Sequence, residues 1–267
     1  MTMVIPGDWS QLEPMLDAQW IAPAFDARAA DAWQKRLAIV VPYRNRQAHL
    51  QLFVPYLQEY FRHDKLDRRI PYAIHVVEQA DDLPFNRGQL ANAAFRLIGD
   101  DADYLCIHDV DLMPLWADYA YPAHPARLCL HGRPVPENTQ LYFGGVTALS
   151  MADYERINGF SNNYWGWGYE DHDLRLRTLS VGLRVEARDG RYNALHHAHN
   201  GFTGDGRLSP AGQRNRDRFG AELAAGFQGW RHDGVNSLRV EHLGTTPLQL
   251  GAQTWPQVRH HRIRLQT

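Results

Sequence analysis

The chain has 267 residues, with 28 basic and 30 acidic side chains and a formal net charge of −2. Hydrophobic residues make up 44% and charged residues 22%, which is ordinary for a soluble globular protein. The near-neutral balance argues against a nucleic-acid-binding protein, because binding through bulk charge needs clustered excess lysine and arginine. Only two cysteines are present, Cys106 and Cys129, which is too few for a disulfide scaffold and favours a reducing, cytoplasmic location.

The sequence shows no targeting or membrane-spanning signal. The segment Met1–Ser10 lacks a basic start followed by an apolar stretch, so a signal peptide is not expected. The longest apolar runs are far shorter than the ~20 residues that a membrane span needs. We therefore expect a chain without a transmembrane segment.

Short apolar runs alternate along the first half of the chain with segments whose apolar residues recur at helical spacing. Residues 1–35 precede this pattern and are predicted to form an irregular lead-in. Strands are predicted over Leu37–Val41, Ala73–Val77 and Tyr104–Ile107, with helices over Gln47–Phe61 and Arg87–Ile98. This alternation is typical of a parallel α/β sheet. The loop-rich second half is predicted to contain strands over Val146–Leu149 and Leu183–Ala187 and a helix over Asp171–Val181.

Charged side chains follow the ends of the predicted strands, where ligands bind in sheets of this kind. Arg44 and Arg46 follow the first strand, and Asp109 and Asp111 follow the third. In extended chain, residues i and i+2 face the same way, so each pair could point at one site. Two carboxylates suit Mg²⁺ or Mn²⁺ carrying a diphosphate, and arginine binds phosphate well. The alternative is that the aspartates only cap the strand and the arginines are solvated.

A histidine cluster lies in the second half, at residues 196–199. If that segment is extended, His197 and His199 share one face and could join a carboxylate on a transition metal such as Mn²⁺ or Zn²⁺. The alternative interpretation is a run of surface histidines.

Residues 162–171 alternate aromatic residues with glycine and end in two acids, Glu170 and Asp171. Aromatic faces stack on sugar rings, carboxylates bind hydroxyls, and glycine lets a ligand approach the backbone. Aromatic segments are more often core, but core strands rarely alternate Trp with Gly. The pattern therefore favours a sugar-binding loop.

Five blocks of the sequence, in the same order, resemble the animal β-1,4-galactosyltransferase family (glycosyltransferase family 7). They are VPYRNRQAHL, FNRGQLANAAF, HDVDLMPL, YFGGVTALS and INGFSNNYWGWGYEDHDLRLR, within a match from about Leu37 to Leu238. The resemblance implies a GT-A type fold, in which a Rossmann-like, mostly parallel sheet is flanked by helices. It places a single catalytic domain at residues 36–267, with a donor-binding half at 36–150 and a loop-rich acceptor and metal half at 151–245.

The resemblance also implies roles for individual residues. Asp171 corresponds to the catalytic base, which binds the acceptor together with Tyr142, Trp167 and Glu170. The metal ligands would be Asp111, His197 and His199. Contacts with the UDP-sugar donor would come from Arg44, Arg46, Phe85, Arg87, Asp109, Tyr142, Gly144, Gly145 and Trp167.

Three departures from the family are visible. His172 replaces an acidic residue that helps to hold the acceptor, and Ala194 stands where one branch has a methionine metal ligand. The His197/His199 pair instead resembles the branch that uses a xylose acceptor. The membrane anchor and disulfides of the animal enzymes are absent from this sequence, which favours a cytoplasmic bacterial relative.

The expected activity is an inverting, Mn²⁺-dependent transfer of galactose from UDP-galactose to a sugar hydroxyl, forming a β-1,4 linkage. Alternatives are UDP-N-acetylgalactosamine or UDP-N-acetylglucosamine as donor, or a non-catalytic module that binds a nucleotide-sugar or a glycan. The expected partners are the UDP-sugar and a glycan or glycoconjugate acceptor, with no nucleic acid. A lipid-linked acceptor would imply peripheral membrane association.

Overall fold

The structure is a computed structural model that describes residues 3–21, 34–63, 66–129, 142–188, 190–196 and 201–266. Six α-helices lie in these ranges: α1 Trp9–Gln19, α2 Gln47–His63, α3 Arg87–Ile98, α4 Met151–Arg156, α5 Glu170–Ser180 and α6 Pro210–Ala224. The strands of the first half are β1 Trp20–Ile21, β2 Leu37–Tyr43, β3 Tyr72–Gln79, β4 Tyr104–His108, β5 Leu112–Trp116 and β6 Ala126–Arg127. Those of the second half are β7 Val146–Ser150, β8 Val185–Ala187, β9 Arg191–Ala194, β10 Val240–Leu250 and β11 Gln253–Leu265.

Nine of these strands form one sheet in the order β1-β8-β6-β7-β4-β2-β3-β11-β10. Its centre is parallel: β2 pairs with β4 on one side and with β3 on the other, and β3 pairs with β11. The strand β7 runs antiparallel to β4. The predicted α/β fold with a mostly parallel sheet is therefore confirmed.

The central strand β2 is buried on both faces, as expected for a parallel strand covered by helices. Ala38 and Val40 face a core that includes apolar side chains of α1, α3 and α5, whereas Ile39 and Val41 face a core that includes those of α2. The sheet is thus the middle layer between helices. The carboxyl ends of β2 and β4, which are neighbours in this layer, lead into the turns that carry the predicted charged residues.

Helix α2 matches the helical spacing predicted for it, because its buried side chains are Leu50, Phe53, Val54, Leu57 and Phe61. Helix α3 begins at the predicted residue because Asn86 caps it, with its side-chain oxygen accepting a hydrogen bond from the Gln89 amide at 2.9 Å.

The irregular lead-in predicted over residues 1–35 is wrong for residues 9–21, which form α1 and β1. Asp8 caps α1, and Leu12 and Leu16, spaced one helical turn apart, are fully buried in the main core. The strand β1 then pairs in parallel with β8 at the end of the sheet. Pro14 inside the helix interrupts its sequence pattern, which explains why the spacing alone did not indicate it.

The long hairpin β10–β11 extends the opposite end of the sheet and lies beyond the predicted elements. Its second strand pairs in parallel with β3, with Val258 opposite Ile74. Among the described helices, none combines the length and the apolar character that crossing a membrane would need.

Candidate active site

The charged residues at the strand ends lie in turns rather than in extended chain. Residues 109–111 turn away from β4, with the Leu112 amide donating to the Asp109 carbonyl at 3.3 Å. After β2, Asn45 has a φ of +52°, so the chain bends between Arg44 and Arg46. The extended geometry expected for both pairs is therefore wrong. Each side chain is placed by its own contacts.

Arg87, the first residue of α3, lies against Asp109. Its Nε donates to Asp109 Oδ1 at 2.9 Å, and its guanidinium lies 5.5 Å from the centre of the Phe160 ring. The side chain is only 9% exposed, yet Nη1 and Nη2 have no hydrogen-bond partner. Burial would lower the pKa of Arg87, but Asp109, Glu170 and Asp171 together raise it. A buried cation with two unused donor nitrogens is suited to an anionic ligand.

His108 at the end of β4 supports the turn that carries Asp109, although no functional role is predicted for it from the sequence. Its Nδ1 lies 2.9 Å from the Asp109 carbonyl oxygen, and its Nε2 lies 2.9 Å from the Tyr119 hydroxyl. Burial lowers the pKa of His108 to about 4, so the ring is neutral at pH 7. The only sequence signal for this role was its place at the end of a buried strand.

Arg44 and Phe85 lie together beside this turn. The guanidinium of Arg44 is 5.8 Å from the centre of the Phe85 ring and donates to the Leu83 carbonyl. The Phe85 carbonyl accepts from the Gly166 amide at 2.7 Å. The predicted donor side is thereby connected directly to the tryptophan-rich loop.

The same loop is tied to α3 through Asn162. Its carbonyl accepts hydrogen bonds from Asn86 Nδ2 at 2.8 Å and Gln89 Nε2 at 2.9 Å. Its Oδ1 accepts from Asn92 Nδ2 at 3.0 Å. These amide side chains are structural supports that the sequence pattern did not single out.

Asp171 lies in the first turn of α5 and is 8% exposed. Its Oδ2 faces the segment before β7, because a Cβ placed on Gly144 would lie only 2.8 Å from that oxygen. The same Cβ would lie 3.2 Å from the ring of Tyr142. Only glycine permits this close approach, so Tyr142, Gly144 and Asp171 meet at one place. Gly145 follows with a φ of +71°.

The neighbouring acid Glu170 has a different electrostatic environment from Asp171. Burial and the charge of Asp171 raise the pKa of Glu170 to about 7. Burial would also raise the pKa of Asp171, but the imidazole of His172 holds it below its ordinary value. At neutral pH Asp171 is therefore ionised and able to accept a proton, whereas Glu170 is partly protonated.

Trp167 lies on the outer side of the loop, with 36% of its surface exposed. Its ring packs on Gly201 and lies 5.1 Å from the ring of Phe202. Helix α6 holds the backbone, because Asn215 Nδ2 donates to the Trp167 carbonyl at 3.0 Å and to the Trp165 carbonyl at 3.2 Å. An exposed aromatic face on a fixed backbone is suited to stacking on a sugar.

Asp111 is the one predicted metal ligand that the structure describes; His197 and His199 lie outside the described residues. The Asp111 carbonyl accepts from the Leu195 amide at 2.7 Å, so Leu195, which directly follows β9 and stands two residues before His197, lies beside Asp111. Within the described ranges, no three His, Cys, Asp or Glu side chains are grouped to bind a metal. A carboxylate next to the strand that leads to two histidines is a donor set that fits Mn²⁺.

The structure thus brings seven of the predicted residues into one region at the sheet edge: Arg87, Asp109, Tyr142, Gly144, Gly145, Glu170 and Asp171. Arg44 and Phe85 form a second pair beside it, and Trp167 lies on the outer side of the loop. Arg46 is half-buried, and its carbonyl accepts from the Leu50 amide in the first turn of α2.

Two family models match this chain, and together they cover most of the site. One, described as the N-terminal region of glycosyl transferase group 7, matches residues 22–122. The other, described as the N-terminal domain of galactosyltransferase, matches residues 134–199.

Curated relatives carry the same family name. β-1,4-Galactosyltransferase 4 of Homo sapiens is 34% identical over 222 residues, covering 78% of this chain and 60% of the relative. β-1,4-Galactosyltransferase 1 of Mus musculus is 38% identical, covering 78% and 51%. β-1,4-Galactosyltransferase 7 of Mus musculus is 33% identical, covering 81% and 64%. The chain therefore spans between about half and two thirds of the length of these relatives.

A solved structure shares the fold. It is a mutant of Drosophila β-1,4-galactosyltransferase 7 in complex with manganese, UDP-Gal and xylobiose. The TM-score is 0.69 at 24% sequence identity, over 87% of this chain and 95% of that chain. This likeness establishes the GT-A type fold. The two matching family models, together with relatives that are 33–38% identical, show that the chain belongs to glycosyltransferase group 7, the family of the β-1,4-galactosyltransferases.

Proposed function

We propose that this chain is an inverting, metal-dependent glycosyltransferase that moves galactose from UDP-galactose to a hydroxyl of a glycan or glycoconjugate, forming a β-1,4 linkage. The observation that carries the proposal is the position of Asp171. Its ionised carboxylate lies at the helix start, with one oxygen directed at the segment that contains Tyr142 and Gly144. The similarity to human β-1,4-galactosyltransferase 4 and mouse β-1,4-galactosyltransferase 1 supports the same reaction class.

The donor would lie along the carboxyl ends of β2 and β4. Nη1 and Nη2 of Arg87 are buried donors without a hydrogen-bond partner, and the oxygens of a diphosphate would accept hydrogen bonds from both. Arg44 and Phe85, beside it, offer a cation and an aromatic face for the nucleotide. Together the arginines would stabilise negative charge that grows on the departing UDP.

The acceptor would bind between Trp167, Glu170 and Asp171. Asp171 would take the proton from the acceptor hydroxyl as its oxygen attacks the anomeric carbon of the donor sugar. A single displacement opposite the leaving UDP converts the α-linked donor into a β-glycoside. The exposed face of the Trp167 ring, held by its packing against residues 201 and 202, would stack on the acceptor sugar.

The metal would be held by Asp111 together with His197 and His199. When bound, Mn²⁺ would neutralise charge on the diphosphate and so make UDP a better leaving group.

The two cysteines are buried and free of disulfides, which supports a reducing, cytoplasmic setting for this reaction.

The test is the release of UDP from a panel of UDP-sugars, with and without Mn²⁺, against a mixed set of monosaccharide acceptors. We expect Mn²⁺-dependent release from UDP-galactose that increases with one acceptor and falls when Asp111 is replaced by Asn. Release from UDP-N-acetylgalactosamine or UDP-N-acetylglucosamine would contradict the donor assignment. Tight UDP binding without release from any donor would contradict the enzymatic proposal.

A further inference from the structure

His172 lies against the proposed base and has no role in the reaction described so far. Its backbone amide donates to Asp171 Oδ1 at 2.9 Å, and its ring Nδ1 lies 3.0 Å from the same oxygen. Because an ionised carboxylate only accepts hydrogen bonds, Nδ1 must carry a proton in this contact. Asp171 Oδ1 therefore accepts two hydrogen bonds from His172.

The other oxygen of the carboxylate is directed toward the donor segment. The Cβ position of Gly144 lies 2.8 Å from Oδ2, and none of the hydrogen bonds described for Asp171 involves that oxygen. The two oxygens of Asp171 are thus differentiated by His172. One is anchored, and the other faces the place where the reaction would occur.

The imidazole is itself fixed by aromatic rings on two elements. The ring centre of Tyr169, a residue with a φ of +73°, lies 5.2 Å away, and that of Phe219 on α6 lies 5.9 Å away. The His172 side chain is 25% exposed. A ring packed in this way has little freedom to turn away from Asp171.

We propose that His172 is a positioning residue for Asp171: it holds Oδ1 and thereby presents Oδ2 to the acceptor hydroxyl. This inference rests on the proposed function, since it assigns a task to a residue beside the base. The proton of the acceptor hydroxyl passes to Oδ2, while the N–H bonds to Oδ1 stay intact. No other reactant is needed for this step.

The charges around the pair determine how it responds to pH. The groups that act on it are Glu170 on the same helix, Arg87 on α3, Asp109 after β4, Tyr142 before β7 and Tyr169 before α5. Helix α6 contributes the apolar Phe219, and its charged Arg216 and Asp217 act on Tyr169. Burial would lower the pKa of His172, but Asp171 and Glu170 raise it above its ordinary value. His172 in turn holds the pKa of Asp171 down, against burial.

Two substitutions separate orientation from charge. His172→Asn keeps an N–H donor near the position of Nδ1 but cannot carry a charge, whereas His172→Ala removes both. We expect His172→Ala to lower kcat about tenfold or more, to leave the KM for UDP-galactose unchanged, and to move the acid limb of the kcat–pH profile upward. His172→Asn should recover most of kcat while the acid limb stays shifted. The exposed His63→Asn, at the end of α2, is the matched control.

A second measurement does not depend on activity. In NMR spectra of ¹⁵N-histidine-labelled protein, we expect the His172 ring to titrate above the ordinary histidine pKa, and its pKa to fall in Asp171→Asn. Active His172→Ala with the wild-type kcat and pH profile would overturn the inference, as would a His172 ring insensitive to Asp171→Asn. If the ring responds to Asp171→Asn but the wild-type protein transfers no sugar, the proposed function fails, and the positioning role fails with it.

Discussion

Two buried ionised side chains, Arg87 and Asp171, carry the proposed chemistry, and each is held by one neighbour. Asp109 holds the guanidinium through Nε and leaves Nη1 and Nη2 without a partner. His172 holds one oxygen of the carboxylate and leaves the other facing Gly144. In both cases one end of the group is anchored and the other remains for a ligand, which is how preorganised sites are built.

Replacing Arg87 should chiefly weaken the binding of the UDP-sugar donor. A hydrogen bond to a charged group contributes about 1.5–3 kcal/mol, so Arg87→Ala should raise the Kd for UDP roughly ten- to hundredfold. Isothermal titration with UDP and Mn²⁺ measures this directly. Arg184→Ala, which changes an exposed arginine, is the control. Equal Kd values for Arg87→Ala and the wild type would remove Arg87 from the donor site.

Replacing the proposed base should slow transfer strongly without affecting donor binding. Asp171→Asn keeps the shape of the side chain but cannot accept the acceptor's proton, and general-base catalysis contributes about 10²–10⁴-fold. We expect kcat to fall by that range while the Kd for UDP-galactose changes little, as measured by single-turnover kinetics and titration. Parallel losses of binding and turnover would show that Asp171 acts in donor binding instead of as the base.

At the scale of elements, the site depends on close approach between the segment before β7 and the start of α5. The sequence predicted both elements and the residues near their ends, because the apolar periodicity and the acidic helix start are local signals. It did not predict the approach itself. The distance between the two segments is set by tertiary packing, which no local sequence pattern encodes. In the structure it is apparent because a Cβ on Gly144 would lie only 2.8 Å from Asp171 Oδ2.

Adding a methyl group at this point should therefore impair catalysis. The Cβ of Gly144→Ala would meet Asp171 Oδ2 at 2.8 Å and force the carboxylate or the backbone to move. Because a displacement of about 1 Å can cost about a hundredfold in rate, we expect a loss of that order in kcat with folding preserved. Gly204→Ala, where a Cβ would meet nothing within 4 Å, should keep wild-type kcat. Wild-type kcat in Gly144→Ala would contradict the described geometry.

At the scale of the whole molecule, the parallel centre of the sheet could be predicted and its two ends could not. The strands β2 and β4 are nearly continuous apolar runs, β3 is apolar apart from His75 and its end, and helices separate the three, which is a strong signal. In contrast, most residues of β10 and β11 are exposed, so their sequences do not show the periodicity of a core strand. The two-residue strand β1 is too short to produce any pattern.

This unpredicted hairpin buries a histidine pair that should make the fold sensitive to acid. His75 Nδ1 lies 3.0 Å from His261 Nε2, and the two residues are 2% and 4% exposed. Burial lowers their pKa values to about 3 and about 4, below the ordinary value of about 6.5. The folded state thus binds fewer protons than the unfolded state below about pH 6.5, so the free energy of unfolding must fall as the pH falls toward 4.

The expected slope is up to about 1.4 kcal/mol per pH unit for each group. Urea denaturation at several pH values between 7.5 and 4.5 measures it. His75→Gln should give a shallower slope than the wild type, whereas His63→Asn, an exposed histidine, should not. A free energy of unfolding that stays constant over this range would contradict the buried neutral pair.

A single displacement at the anomeric carbon, with Asp171 as the base, inverts that carbon, so the configuration of the product reports on the reaction. The measurement is the NMR spectrum of the disaccharide formed from UDP-galactose and a sugar acceptor in the presence of Mn²⁺. We expect a β-linked galactoside from the wild-type protein, and its rate of formation to fall at least about a hundredfold in Asp171→Asn. An α-linked product, or an Asp171→Asn protein that forms the β-linked product at the wild-type rate, would contradict this mechanism.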